Sequence, residues 1–313
     1  MRTALVTGGA GYLGSHLAKA LKKAGYKTIC FDIKSPRNML YWDDAVIGDI
    51  RDLILERPFR NDDIDVVFHL AGRIEVGESV EHPELFWDVN VGGTTNLLQL
   101  MREYNVRNIV YSSTAGLYRS AGTDLSEKDA IAENNPYANS KYAAECAIRN
   151  STMNHIIFRF FNLAGADPEG EMGEMHNPET HLIPVMFENL NNFVINGKDY
   201  RTPDGTCIRD YVHVSDVADA HVAAAEYMQT RMANQPTLFN LGTGKGYSVL
   251  EVINTATEEL GITINHKFGQ KREGDPPRLV AITDLAKKYL KFKPKHDLKS
   301  ILRTAYDWHG KNT

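Results

Sequence analysis

The sequence predicts a doubly wound α/β fold: a parallel sheet with helices on both faces and a smaller interleaved C-terminal lobe. Three observations carry that expectation. Short β-branched runs alternate with helical stretches through the first half of the chain, and a glycine-rich turn directly follows the first run. The length of 313 residues, 42% of them hydrophobic, suits about two domains.

Residues 3–7, 27–31, 65–70, 107–112 and 155–161 read as buried strands, and another precedes Gly48. Helical spacing covers residues 14–24, 79–104 and 136–150. Strand and helix in alternation imply right-handed crossovers within one parallel sheet. The second half is less regular. Residues 165–180 are rich in Gly, Pro and acids and read as a long loop, 202–205 as a turn, 214–228 as a helix and 237–241 as one more strand. The expected division gives residues 1–163 and about 209–242 to the large domain, and about 164–208 and 243–313 to the lobe.

Composition excludes several classes. A net charge of −5 leaves no basic footprint for nucleic acid. No 18-residue apolar stretch offers a membrane span. In residues 1–7 glycines end the run after three apolar side chains, so no signal-peptide core is expected. Cys30, Cys146 and Cys207 have no paired spacing and suit a reducing cytoplasm.

Gly8, Gly11 and Gly14 stand three apart between the first strand and the first helix. Glycine there lets the backbone double back and a pyrophosphate approach the helix N-terminus, where the dipole favours an anion. Asp32 ends the second strand, placed to accept hydrogen bonds from ribose hydroxyls and to repel a 2′-phosphate, which favours NAD over NADP. The arrangement is that of a Rossmann-type domain. Asp49, after the third strand, is placed to meet an adenine amino group, and equally to cap a helix.

Tyr137 and Lys141 are four apart at a helix start and share one face. A tyrosine ordinarily titrates near 10. An ammonium roughly 6 Å away at an effective dielectric of about 20 favours the phenolate by about 3 kcal/mol, some two pH units, which would make Tyr137 a general base. Without the glycine motif, an ordinary surface pair on an amphipathic helix would be the better reading. Ser112, Ser113 and Thr114 end the fifth strand, where hydroxyls serve a proton relay or cap the next turn. Asn162 binds substrate or simply terminates the sixth strand.

Together these residues resemble the extended short-chain dehydrogenase/reductase superfamily and, within it, the UDP-glucose 4-epimerase family. The resemblance covers nearly the whole chain. It is carried by TGGAGYLGSH at 7–16, AGRIEVGES at 71–79, NVGGT at 90–94, SSTAGLY at 112–118 and NPYANSK at 135–141. It continues through RFFNLAGADPEGEMGE at 159–174, PDGTCIRDYVHVSDVADAHV at 203–222, NLGTGKGYSV at 240–249 and REGDPP at 272–277.

The resemblance implies redox-neutral C4 epimerisation of a UDP-hexose on retained NAD. Tyr137, assisted by Thr114, would take the proton of the sugar 4-hydroxyl while hydride passes to the nicotinamide. The 4-keto sugar would then turn and take the hydride back on its other face. Lys141 would hold the nicotinamide ribose. Gly8, Gly11, Tyr12, Leu13, Gly14, Asp32, Asp49, Ile50, Leu70, Ala71, Gly72, Asn90, Ser112 and Phe161 would line the cofactor beside Tyr137 and Lys141. Thr114, Tyr137, Asn162, His181, Leu182, Val194, Asn196, Arg209, Tyr211, Arg272 and Asp275 would line the UDP-sugar. Arg209 and Arg272 would fork onto the diphosphate, although Arg209 followed by Asp210 also reads as a local ion pair. The long helices at 79–104 and 136–150 would form a homodimer.

Related dehydratases carry Asp-Glu after the catalytic threonine. Ala115 and Gly116 stand there instead, which disfavours loss of water. Thr180-His181 replaces the usual Asn-Asn, the chain is short between Pro184 and Val194, and Asn196 replaces an aromatic near the uracil. Leu279, where some relatives have tyrosine, implies acceptance of UDP-N-acetylhexosamines. The rival readings are a net oxidoreductase, a UDP-glucuronate or UDP-pentose 4-epimerase, and a non-catalytic NAD-binding regulator. Residues 242–246 lack the Gly-Lys-Ser/Thr spacing of a phosphate loop. Neither the group Glu171, Glu174, His176, Glu179 and His181 nor Asp210, His213 and Asp216 forms a convincing ligand set, and no metal is expected.

Overall fold

A computed structural model describes residues 1–119, 122–132, 135–271 and 275–312. The strands are β1 (Thr3–Thr7), β2 (Lys27–Asp32), β3 (Asp44–Ile47), β4 (Val66–His69), β5 (Asn108–Thr114), β6 (Asn154–Phe160) and β7 (Asn162–Ala164). They continue with β8 (Phe193–Asn196), β9 (Ile208–His213), β10 (Leu238–Leu241), β11 (Gly246–Ser248), β12 (His266–Gly269) and β13 (Arg278–Leu279). The helices are α1 (Tyr12–Lys23), α2 (Glu56–Asn61), α3 (Val76–Glu81), α4 (Pro83–Phe86), α5 (Gly93–Glu103), α6 (Pro136–Arg149) and α7 (Leu182–Glu188). The last four are α8 (Val214–Thr230), α9 (Val249–Leu260), α10 (Asp284–Leu290) and α11 (Leu298–Asn312).

Seven parallel strands form the large sheet in the order β10-β6-β5-β4-β1-β2-β3. All five residues of β1 are buried, as a strand covered on both faces requires. On one face Leu17, Leu21, Val110, Phe158 and Phe239 pack with α1, α8 and α10. On the other, Leu5, Ile29, Val67, Leu97 and Ile148 pack with α5 and α6. Each such side chain is 0% exposed and contributes about 1.5–3 kcal/mol of burial. The order reverses between β1 and β4, so the crevice for a ligand opens at their C-terminal ends.

Two expectations change here. The helix read over residues 79–104 is broken: α3 stops at Glu81, His82 leaves the helical region, and Pro83 opens α4. Proline disfavours helix in the residue before it and lacks the N–H for continuation, so it is tolerated as a first helical residue only. A π-helical turn at Trp87–Gly92, carrying Asn90, then joins α4 to α5. The expected domain bounds also cut across elements that pack on both sides. β9 pairs with β11, β13 and β7, while its Val212 packs in the core of the large sheet. Ala286, Leu290 and Phe292, expected in the lobe, sit in the core of the large sheet instead. Apolar faces rather than chain order decide both placements.

A buried ion pair fastens α6 to the sheet. Arg159 on β6 is 2% exposed and Glu145 on α6 is 0% exposed. The guanidinium donates from Nε and Nη2 to the two carboxylate oxygens at 2.9 and 2.7 Å. Ser113 Oγ donates to the same carboxylate at 2.5 Å. Glu145 also accepts from Arg149 Nη2 at 3.0 Å, but removing Glu145 leaves the buried Arg159 charge without its carboxylate. Glu145→Ala is therefore expected to cost about 3–5 kcal/mol, read as a lowered midpoint in urea unfolding.

Candidate active site

The glycine turn is closed tightly on itself. Gly8 has φ +74°, and a Cβ there would lie 2.6 Å from the Ala71 nitrogen. A Cβ on Gly14 would lie 2.4 Å from the Gly8 oxygen. Gly11 caps α1 without a side-chain hydrogen bond, so the amides of the first turn face no competing side-chain acceptor. Asp32 Oδ2 accepts from Ala10 N and Oδ1 from Lys34 N, both at 3.0 Å, with burial raising its carboxyl above the ordinary range. A narrow glycine cradle, an open helix N-terminus and an acid ending β2 together fit a dinucleotide.

Of the other expected cofactor residues, Leu70, Ala71 and Gly72 are half-buried just past β4. Leu13 and Ile50 turn into the two cores, and Tyr12 donates its hydroxyl to the Gly165 oxygen. Asp49 does not cap a helix. Arg51 grips it through Nε, Nη2 and its own amide, which holds the carboxyl below the usual range. Asn90 Oδ1 accepts from Arg73 N at 2.8 Å, and its Nδ2 donates to Arg73 O at 3.2 Å and to Ser140 Oγ at 2.9 Å. Its amide is thus engaged in joining the β4 end to α6.

α6 begins with Asn135 accepting from Ala138 N at 2.8 Å and Pro136 as first residue, which sets Tyr137 in the opening turn. Tyr137 is half-buried, hydrogen-bonded to Thr114 and edge-on to Phe86 at 6.4 Å. Thr114 also caps the next turn, accepting from Gly116 N at 3.1 Å. Lys141 is 4% exposed, its Nζ 4.4 Å above the Tyr111 ring centre. The expected lysine-driven lowering of the phenol is not what the chain alone produces. Burial pushes Lys141 down to about 7 and Tyr137 up, with Thr114 opposing and Glu75 adding to the rise. Desolvation outweighs the attraction assumed from the spacing.

The serines part from Thr114. Ser112 Oγ meets His221 Nε2 on α8 at 2.9 Å, so the hydroxyl expected at the cofactor is engaged in packing, while Ser113 serves Glu145. Phe161 is buried with Ala115, Tyr118, Leu125 and Ala281, and Leu279 packs against that cluster. Asn162 pairs with Tyr211 in the β7–β9 register, and Tyr211 is 4% exposed in the lobe core. Val194 is exposed and Asn196 half-buried on β8, while Leu182 opens α7 behind His181.

Arg209 is buried, and its partner is Asp275 rather than Asp210. Nη1 donates to Ile208 O at 2.9 Å and Pro276 O at 2.8 Å, and Nη2 to Asp275 Oδ1 at 2.5 Å. Burial opposes the guanidinium charge, and Asp275 together with Cys207 and Tyr211 more than offsets it. Asp210 accepts from Thr243 N at 2.8 Å and Gly244 N at 2.9 Å, occupying the amides that a phosphate at residues 242–246 would need. Arg272 lies outside the described residues.

His69 was not singled out in the sequence. Buried at the end of β4, it sets Nδ1 2.8 Å from Thr7 Oγ1 and Nε2 2.9 Å from Thr94 Oγ1. Thr94 spends its hydroxyl proton on Asn90 O at 2.5 Å, so Nε2 is the protonated nitrogen and Nδ1 accepts from Thr7. This chain links the strand before the glycine turn to the Asn90 turn. Polar residues ending otherwise apolar strands were its only trace in sequence.

The fold, the cradle and the Tyr-Lys pair define a class, and comparison with known proteins agrees. Residues 4–242 match the model of the NAD dependent epimerase/dehydratase family. The chain belongs to that family. Its relatives include the UDP-glucose 4-epimerases of Rhizobium leguminosarum bv. trifolii, 39% identical over 99% of this chain and 98% of its own, and of Halalkalibacterium halodurans, 40% identical over 97% and 95%. Among solved structures, UDP-glucose 4-epimerase from Brucella ovis in complex with NAD has a TM-score of 0.92 and 38% identity, covering 99% of each chain. The enzyme from Bifidobacterium longum in complex with NAD+ and UDP has a TM-score of 0.92 and 33% identity, over 99% of this chain and 98% of its own. The family, the doubly wound fold and NAD as cofactor are as the sequence led one to expect. Among the described residues, no helix is long and apolar enough to cross a membrane.

Burial lowers His69 to about 3, and Lys141 adds to that; burial also lowers His16 and His221 to about 4 and His213 to about 3. Between the ordinary value of 6.5 and these values, the unfolded chain binds protons that the folded chain does not. At these four histidines the contribution to stability therefore falls as pH falls through that window. His69→Asn should flatten the pH dependence of the urea midpoint there by up to about 1.4 kcal/mol per pH unit.

Proposed function

We propose that the chain interconverts the C4 epimers of a UDP-hexose, UDP-glucose and UDP-galactose, and accepts the N-acetylated pair as well. The observation that carries this reading is the contact between Thr114 and Tyr137 at the end of β5, with Lys141 one helical turn on and the glycine cradle alongside. NAD, when bound, supplies reversible hydride acceptance at C4 without net oxidation.

Tyr137 takes the O4 proton and later returns it, and Thr114 holds the phenol where that oxygen must come. Burial keeps the phenol above its ordinary range, so it needs a cation at hand when it ionises, and Lys141 is placed to be that cation. Ala115 and Gly116 offer no acid to expel a ring hydroxyl. Arg209, immobilised by three acceptors, serves as a fixed fork for the diphosphate, and the family resemblance adds Asp275 for the ribose and Asn162 and Arg272 for the diphosphate. His181, Leu182, Tyr211, Val194 and Asn196 frame the nucleotide end. Leu279, opposite Arg209 in register, leaves more room than a tyrosine for an N-acetyl group.

The reading includes a cytoplasmic homodimer. Ile74, Val76, Val80 and Trp87 are 38–65% exposed on and just before α3 and at the π turn, and Tyr142 is 36% exposed on α6. Such an apolar surface supports a helix-to-helix contact between two copies. Val80→Asp with Trp87→Asp should yield a monomer by light scattering; a dimer unaffected by both changes would sink that part.

Incubation with UDP-galactose and with UDP-N-acetylgalactosamine, followed by separation of the C4 epimers, tests the activity. Both are expected to convert with no accumulation of NADH. Tyr137→Phe should lower turnover at least about 10²-fold with NAD still retained. Unchanged turnover in that variant removes the catalytic assignment, and net NADH production favours an oxidoreductase.

A further inference from the structure

We propose that the loop entering α7 binds one zinc-class divalent cation through Glu174, His176, Glu179 and His181. The sequence spacing gave this group no convincing ligand set. The fold nevertheless gathers one atom from each of the four within 4.8 Å of the others.

The separations suit a tetrahedral ion. Zinc holds nitrogen and oxygen at about 2.0–2.1 Å, which puts neighbouring ligand atoms about 3.3 Å apart. His176 Nδ1 lies 3.3 Å from Glu174 Oε1 and 3.5 Å from Glu179 Oε2, and His181 Nδ1 lies 3.5 Å from Glu179 Oε1. The two 3.5 Å distances run to different Glu179 oxygens, so that carboxylate must turn one oxygen inward, and the 2.6 Å hydrogen bond between His181 Nδ1 and Glu174 Oε1 must open to admit the ion.

Two further observations point inward to a ligand. His176 Nδ1 is buried and makes no well-aligned hydrogen bond, although it lies within ion-pair reach of the Glu174 and Glu179 carboxylates. The Glu174 and Glu179 side chains are only 8% and 6% exposed, and among the described residues their ion-pair partners are these two imidazoles alone. Buried carboxylates call for a positive partner, which the two imidazoles supply when protonated and a metal ion would supply in place of those protons. Two nitrogen ligands select zinc over magnesium or calcium, which prefer all-oxygen cages. The loop is also preorganised. Glu179 accepts from the amides of His176, Thr180 and His181 at 3.2, 2.9 and 2.9 Å, which fixes its carboxylate before any ion arrives.

The ion would sit beside the cofactor cradle, because His176 packs edge-on to Tyr12 at 6.3 Å. It would fasten the loop between the glycine turn and α7. Coordination through Nδ1 leaves His181 Nε2 available to the sugar nucleotide.

The test uses the full chain, stripped with a chelator and checked for retained NAD. Calorimetric titration with Zn2+ should show one ion per chain, and Mg2+ should bind at least about 100-fold more weakly. The Co2+ form should show the intense visible bands of tetrahedral coordination. His176→Gln should weaken Zn2+ binding at least about 100-fold and remove those bands, since outer-shell losses alone cost 10–100-fold. Glu179→Gln should act likewise; should it not fold, His176→Gln and the Co2+ spectrum of the unaltered chain still decide the matter. Absence of saturable one-to-one binding, an octahedral Co2+ spectrum, or unchanged affinity in His176→Gln would overturn the site and leave a plain ion-pair network. These readouts do not depend on turnover, so they stand apart from the fate of the epimerase reading.

Discussion

One buried carboxylate sets the geometry on which the reactive helix depends. Glu145 receives the Arg159 guanidinium from β6 and the Ser113 hydroxyl from β5, so α6 can sit on the sheet in only one register. Lys141 lies one turn before Glu145 and Tyr137 one turn before that, on the same stripe. Glu145 also supports the Lys141 charge against its burial, beside the Tyr111 ring beneath the ammonium. The charge pair that aligns the helix and the Lys141 charge are therefore coupled through one side chain.

The site's polar groups are costly to bury, and the fold offsets that cost by connecting them. Asn90 spends its whole side-chain amide on Arg73 and Ser140, joining the β4 end to the helix that carries Lys141. His69 bridges Thr7 and Thr94, and Thr94 closes the chain on Asn90. A fully bonded network of this kind specifies one arrangement, because any slip strands a donor or acceptor away from water. Among the described residues, Tyr137 bonds to Thr114 and Lys141 lies over the Tyr111 ring, so both stand apart from that network. Their shifted titration is the cost of that freedom.

Much of this was legible in the chain. The strands of the large sheet announced themselves because buried parallel strands are continuous β-branched runs. The glycine turn, Asp32, Tyr137, Lys141 and Thr114 stood at fixed places relative to those runs. What was hidden depends on tertiary contact. Period alone joined residues 79–104 into one helix, although Pro83 was there to break it. Ser112 and Thr114 look alike in sequence, yet only packing reveals that one faces His221 and the other Tyr137. Arg209 and Asp210 are neighbours whose side chains point to opposite faces of β9, so the adjacent acid was the wrong partner. The clamp of Lys19 on Asp167, Glu169 and Glu171 spans about 150 positions and leaves no local pattern at all.

The placement of α10 bears on how the protein is made. Ala286, Leu290 and Phe292 complete an apolar layer whose other members, from Ala4 to Leu241, are synthesised earlier. While residues 284–292 are still within the ribosome, the emerged sheet therefore presents an unsealed hydrophobic face around Tyr227 and Phe239. The intervening lobe must pass outside before that face can close. The interleaved topology thus makes the cofactor domain the first to begin folding and one of the last to be finished, and a nascent chain of this kind has a defined window in which a chaperone has something to hold.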